Sequence, residues 1–170
     1  FLRNHFEYLF HKNLIRHIPQ GDVYRDILST YFIPGPTMMV RREVLDRLGG
    51  YDEELTYEDF DFWVRSARDY HYEFLDEKLT RIRKLRQSMS TGQYTPGDRQ
   101  LHSTYLVCLK AQLLNRDTGD HKALVKRVRY EFRQSVLSGN YTETELFFSL
   151  LKKLDRPGIV DYLLFFTNNH

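Results

Sequence analysis

The stretch Ile33–Ser66, IPGPTMMVRREVLDRLGGYDEELTYEDFDFWVRS, decides which fold the sequence predicts. Its pattern predicts a turn fixed by prolines, a short strand, a short helix that stops at Gly49, and a second helix. The strand is Thr37–Val40, because a short apolar run between turns is typical of a buried strand. The second helix is amphipathic, since its apolar residues follow the i, i+3, i+4, i+7 spacing of a buried face: Phe60, Trp63, Val64 and Ala67.

The start of this second helix, residues 57–63 (YEDFDFW), sets Glu58, Asp59 and Asp61 among aromatic rings. Apolar surroundings raise the pKa of a carboxyl group, which suits a group that abstracts a proton. The same acids suit an ordinary helix start, where each is stabilised by about 0.3–1 kcal/mol. Thr56 and Asp59 also approximate a capping box. On these residues alone, the helix start is the favoured interpretation.

The composition limits the classes of function. The chain has 170 residues, of which 41% are hydrophobic, so a globular protein with a core is expected. A net charge of +2 is too small to indicate a nucleic-acid partner. The single Cys108 excludes an internal disulfide and suits a reducing cytosol. There is no apolar run of the length that a membrane span needs, so we expect a cytoplasmic location. The abrupt start at Phe1 predicts a fragment.

The remainder of the chain divides in two. Tyr72–Leu75 and Leu79–Ile82 alternate like two short strands. Gln87–Asp98 is rich in Ser, Thr, Gly and Pro and predicts a mobile loop and a boundary. Helical patterns follow, one of them opened by an apparent capping box from Thr142 to Glu145. The sequence therefore predicts an α+β, predominantly helical fold, with a small sheet in residues 1–92 and a helical extension in residues 93–170.

The order of motifs closely resembles a known family. A strand ending in Arg41-Arg42, a short helix, then GGYDEEL and EDFDFW-x-R are similar to the second half of the catalytic domain of inverting family 2 glycosyltransferases, which have the GT-A fold. The resemblance runs from about Pro34 to Ser90 and includes a closing strand that ends at Arg83. It implies transfer of a sugar from a nucleotide-sugar donor to an acceptor hydroxyl with inversion.

The resemblance also implies roles for individual residues. Asp59 matches the family's general base, with Glu58 and Asp61 positioning and tuning it or binding acceptor hydroxyls. Positive charge is needed beside the donor diphosphate. The candidates for substrate binding are Arg41, Arg42, Trp63, Arg83 and Arg86. The helical spacing makes Trp63 a core residue as well, and Arg65 a partner of Asp61.

Two departures from the family pattern affect cofactors and partners. No strand-Gly-strand phosphate site and no Asp-x-Asp metal motif precede the stretch, and Leu85 stands near a position where many relatives carry a metal-binding histidine. We therefore expect a divalent metal, Mg²⁺ or Mn²⁺, only together with a nucleotide-binding half, and none bound by this chain alone. The implied partners are a nucleotide-sugar donor and a glycan or lipid-linked acceptor. A homodimer would cover apolar surface left open on the sheet.

A non-catalytic module is the alternative. In that case a basic helical face would dock a partner or an anionic membrane at the inner side of the cell envelope, through Lys122, Lys126, Arg127, Arg129 and Arg133. RNA binding is disfavoured, because aromatic and basic residues are not interleaved in a recognisable motif.

Overall fold

The computed structural model describes residues 5–82 and 92–167, and in these parts of the chain the regular structure is helical. One 3₁₀ turn, Gly35–Thr37, lies between the second and third helices. The α-helices in chain order are α1 (His5–His11), α2 (Tyr24–Ser29), α3 (Arg42–Leu48), α4 (Glu58–Ala67), α5 (Arg99–Leu114), α6 (Thr118–Leu137), α7 (Tyr141–Leu154) and α8 (Ile159–Thr167).

The predicted α+β fold with a small sheet is wrong. Within the described residues, β pairing is limited to one antiparallel bridge between Gly21 and Tyr72. The predicted strand Thr37–Val40 begins in the 3₁₀ turn and continues as extended backbone from Met38, without a paired neighbour. Leu79–Ile82 is likewise unpaired, and its apolar side chains are exposed. A strand needs hydrogen bonds from an adjacent strand, and sequence pattern alone does not supply that neighbour.

One continuous hydrophobic core runs through the molecule, and α6 lies at its centre. α6 packs against α7, α2 and α5, while α4 packs against α5 and α2. Residues of both predicted regions, 1–92 and 93–170, contribute to this core; examples are Phe62, Leu101 and Phe132. Of the helices in the described parts of the chain, none combines the length and the apolar character that crossing a membrane requires.

The helix ends correct two predictions and confirm one. α4 has Tyr57 as its N-cap without a side-chain capping bond, so the capping box from Thr56 to Asp59 is wrong. The Thr56 hydroxyl instead donates to the carbonyl of Arg99, which ties the start of α4 to α5. α7 begins at Tyr141, again without a side-chain capping bond, so the second predicted box is also wrong. Gly49 does stop α3, with a left-handed φ of 73°.

Candidate functional site

Asp59 lies in the first turn of α4 and is half-buried. The 3₁₀ turn packs so closely on its carboxylate that a Cβ at position 35 would overlap with Oδ2 of Asp59 and displace it. Burial, and secondly the charge of Glu58, raise the pKa of Asp59. Among the described residues, no hydrogen bond or salt bridge is made to this carboxylate. A partly desolvated, unpaired carboxylate of this kind is a competent proton acceptor.

Asp61, two residues later, has a different environment. Its side chain is fully buried and accepts hydrogen bonds from Arg65 Nε at 2.7 Å and Lys110 Nζ at 2.8 Å. The predicted pairing of Asp61 with Arg65 is therefore confirmed. Arg65 also donates to the carbonyls of Leu48 and Gly50 at 2.7 and 2.8 Å. Through Arg65, Asp61 thus holds α4 to the turn at Gly49 and Gly50 (the glycine corner), and through Lys110 it holds α4 to α5. Both of its oxygens are already occupied.

Trp63 is a core residue, as its spacing predicts, with 2% of its surface exposed. Its indole Nε1 donates to the sulfur of Met38 at 3.1 Å. Its ring contacts those of Tyr31 and Tyr57, with ring centroids 5.6 and 6.3 Å apart. In this arrangement Trp63 positions the two tyrosines, and its own ring presents no open face to a substrate.

The four candidate arginines fall into two groups. Arg41 and Arg42 are exposed on the surface at the start of α3, where they pair with Glu43 at 3.7 Å and Asp46 at 3.1 Å. Exposed pairs of this kind contribute about 0–1 kcal/mol, so both guanidinium groups remain available to an anion. Arg83 and Arg86 lie outside the described residues.

A cleft of about 1010 Å³, which the sequence did not predict, lies beside this region. It is bounded by α1, the end of α2, the start of α4 and one side of α6, and five tyrosines line it: Tyr8, Tyr31, Tyr57, Tyr94 and Tyr130. Asp59 does not line the cleft itself, but its neighbours Tyr57 and Phe60 do. Burial, and then the charge of Asp59, raise the pKa of Tyr31 in the cleft wall. Tyr31 and Tyr130 are far apart in the sequence, so no local pattern indicates that they share a cleft.

The wall of the cleft formed by α6 carries a buried ion pair. Arg127 Nη1 lies 2.9 Å from Glu131 Oε1, and Arg127 Nε donates to the carbonyl of Leu28 at 2.8 Å. The Tyr94 hydroxyl donates to Glu131 Oε2 at 3.1 Å. Burial raises the pKa of Glu131, and the Arg127 guanidinium opposes that shift. Each charge is satisfied by its neighbours, so this group is part of the structural support of the cleft.

The predicted basic face of the helical extension (residues 93–170) is largely absent. Arg127 is buried. Arg129 is paired with Asp155 and Asp161, and Arg133 is paired with Asp161. Only Lys122 and Lys126 of the five cations are exposed without a salt bridge among the described residues. Helical spacing placed these cations on one helix, but Asp155 and Asp161, which neutralise Arg129 and Arg133, lie in the loop after α7 and in α8.

The described residues bring together an unpaired carboxylate, a tyrosine-lined cleft and two free lysines. In residues 5–82 and 92–167, no cluster of three or more His, Cys, Asp or Glu side chains is arranged to hold a metal ion. Tyrosine rings can bind ring-shaped polar molecules, and an unpaired carboxylate can accept a proton from them. Comparison of the chain with protein-family models, with curated proteins and with solved structures found no match.

Proposed function

We propose that this chain forms the acceptor side of an inverting sugar transferase in which Asp59 is the general base. The observation that carries the proposal is the contrast between two carboxylates on one helix. Asp61 is fully engaged by Arg65 and Lys110, whereas Asp59 is unpaired and has a raised pKa. Asp59, the unpaired acid, is also the residue that the resemblance to inverting family 2 glycosyltransferases implies as the general base. The proposal concerns the chemistry of this site and does not depend on a sheet.

The reaction is a single in-line displacement. The acceptor hydroxyl oxygen forms a bond to the anomeric carbon while the bond from that carbon to the diphosphate oxygen breaks. The hydroxyl proton passes to a carboxylate oxygen of Asp59, and the electron pair of the breaking bond leaves with the diphosphate. Burial makes Asp59 a stronger base than an exposed aspartate, and Glu58 acts in the same direction.

The cleft would hold the acceptor. Tyr8, Tyr31 and Tyr130 are each about half exposed in it and offer flat apolar faces with polar edges. Lys122 and Lys126 add positive charge along α6, which favours an acceptor that carries acidic groups. The donor nucleotide and its divalent metal would belong to a nucleotide-binding half. Among the described residues, no set of three or more His, Cys, Asp or Glu side chains is arranged to hold that metal.

Replacement of Asp59 by Asn tests the proposal. The protein is expressed together with the nucleotide-binding half that the proposal requires, and transfer is measured with a panel of nucleotide sugars and glycan acceptors. Loss of a general base lowers rates by about 10²–10⁴-fold, so we expect a fall in kcat of this size with little change in the KM for the donor. The control is Asp69→Asn, at an exposed side chain beyond the end of α4, which should transfer sugar at the unaltered rate.

The stability of the Asp59→Asn variant separates a catalytic effect from a folding defect. Because the folded state raises the pKa of Asp59, ionisation of this group costs stability as the pH rises through the folded-state pKa. The neutral Asn side chain avoids that cost, so the variant should be at least as stable as the parent at neutral pH. Full activity in a folded Asp59→Asn variant would refute the assignment of the base.

A further inference from the structure

Helix α8 presents an apolar stripe to solvent. The stripe consists of Ile159, Val160, Leu163 and Phe166, whose exposed fractions are 78%, 53%, 60% and 61%. These residues follow the spacing i, i+1, i+4 and i+7, so they share one side of the helix. A continuous apolar surface of this kind is uncommon on a protein that has no partner for it.

Contacts on the side of α8 opposite the stripe fix the orientation of this helix. Asp161 is buried and accepts hydrogen bonds from Arg129 Nε and Arg133 Nη2, each at 3.2 Å. Phe165 stacks on Phe148 of α7 with ring centroids 4.2 Å apart. Rotation of α8 to hide the stripe would break both contacts and leave a buried carboxylate unpaired. The stripe therefore stays on the outer surface.

Three cations lie in the last turn of α7 and in the segment between α7 and α8: Lys152, Lys153 and Arg156. Lys152 Nζ lies 5.2 Å from the ring centre of Phe148, and Phe148 also contacts Tyr162 at the edge of α8. Lys153 and Arg156 are exposed in the segment that leads into α8. Among the described residues, none of these three cations forms a salt bridge. The nearby acids Asp155 and Asp161 are already neutralised by Arg129.

We propose that α8 docks on an anionic membrane surface. The apolar stripe enters the boundary between headgroups and acyl chains, and Lys152, Lys153 and Arg156 lie against lipid phosphates. Short helices with an apolar face and flanking cations bind membranes in this way, since hydrophobic burial and attraction to anionic lipids act together. This surface differs from the basic face of α6, most of whose cations are already paired.

A second copy of the chain fits the stripe less well than an anionic membrane does. A symmetric dimer across α8 would repeat the same patch on both sides of the two-fold axis. The six cations of the two copies would then be gathered around one interface, and like charges brought close together oppose association. An anionic lipid surface instead neutralises the cations while it covers the stripe.

Vesicle co-sedimentation of the 170-residue chain tests the proposal. The vesicles contain phosphatidylcholine alone or phosphatidylcholine with phosphatidylglycerol, at low and at high salt. We expect binding to the anionic vesicles that weakens as salt rises, and much weaker binding to the neutral ones. Equal binding to both lipids, or no binding by the unaltered chain, would overturn the proposal.

Two variants assign the binding to α8. Leu163→Glu with Phe166→Glu should weaken binding at least about tenfold, because charge then replaces the inserted apolar groups. Leu113→Glu with Leu137→Glu is the matched control, since these side chains are 88% and 75% exposed elsewhere on the surface. Equal losses in both pairs would overturn the role of α8. Sedimentation velocity gives a further test. If the unaltered chain is a dimer and Leu163→Glu with Phe166→Glu makes it a monomer, a second copy of the chain covers the stripe and the proposal is overturned.

The second variant keeps the apolar stripe of α8 and reverses only the charges of the three cations. Lys152→Glu, Lys153→Glu and Arg156→Glu together should weaken binding, by about fivefold for each cation lost. The control reverses three exposed cations elsewhere, Lys12, Arg47 and Lys78, and so changes the net charge equally. An equal effect of the two triple variants would contradict a localised docking surface.

Discussion

Gly35 and Asp59 illustrate how one close contact shapes the candidate base. The two residues are separated by α3 and the glycine corner, yet the 3₁₀ turn presses against the Asp59 carboxylate. This contact contributes to the burial that raises the pKa of Asp59. The acid itself was predictable from its sequence context, whereas its contact with position 35 depends on how the turn folds back over α4.

Gly35→Ala should destabilise the protein by about 1–3 kcal/mol, because the added methyl group overlaps with the Asp59 carboxylate. Denaturant unfolding measures the effect. Gly92→Ala is the control, since a Cβ there meets no atom within 4 Å and the backbone is not left-handed. In the double variant with Asp59→Ala, most of the loss should be recovered. Additive effects of the two substitutions would show that this contact is not the cause.

Helix α4 combines a predictable face with an unpredicted anchor. The four residues that its periodicity assigns to the inner face are buried: Phe60, Trp63, Val64 and Ala67. Asp61, Phe62 and Ser66 are buried as well, which the periodicity did not indicate. The bond from Lys110 of α5 to Asp61 was not predicted, because the two residues lie 49 positions apart. The predicted strand before α3 failed for a related reason, since extended backbone becomes a strand only when another segment pairs with it.

Asp61→Ala should cost about 3–5 kcal/mol of unfolding free energy, because it leaves Arg65 and Lys110 without their shared buried partner. Asp46→Ala removes a pair of 3.1 Å on the exposed side of α3 and should change stability by less than about 1 kcal/mol. Thermal and denaturant unfolding of both variants gives the comparison. Similar values for the two would contradict the anchoring role of Asp61.

The whole molecule is built around α6, and Arg127 joins that helix to α2. The guanidinium donates to the carbonyl of Leu28 and pairs with Glu131, which in turn accepts from Tyr94. Removal of one member of a buried pair costs more than removal of both, because a lone buried charge remains. This arrangement supports one side of the cleft near Asp59.

Arg127→Met should therefore cost about 3–5 kcal/mol, and the addition of Glu131→Leu should restore part of the loss. The neighbouring Lys126→Met, on the exposed side of α6, should change stability by no more than about 0.5 kcal/mol. A double-mutant cycle by denaturant unfolding measures the coupling between Arg127 and Glu131. If the double variant loses more unfolding free energy than the two single variants lose together, the result would contradict a simple buried pair.

Local spacing was enough to predict the helices on either side of Gly49, the stop at that residue and the apolar residues of the inner face of α4. Helical hydrogen bonds join residues four apart, so local spacing carries that information. Three features depended on the tertiary structure: Met38 has no strand partner, Lys110 occupies the second oxygen of Asp61 while Asp59 stays unpaired, and distant tyrosines share a cleft. Each of these depends on contacts between segments remote in the chain, and no local pattern encodes which distant atoms will meet.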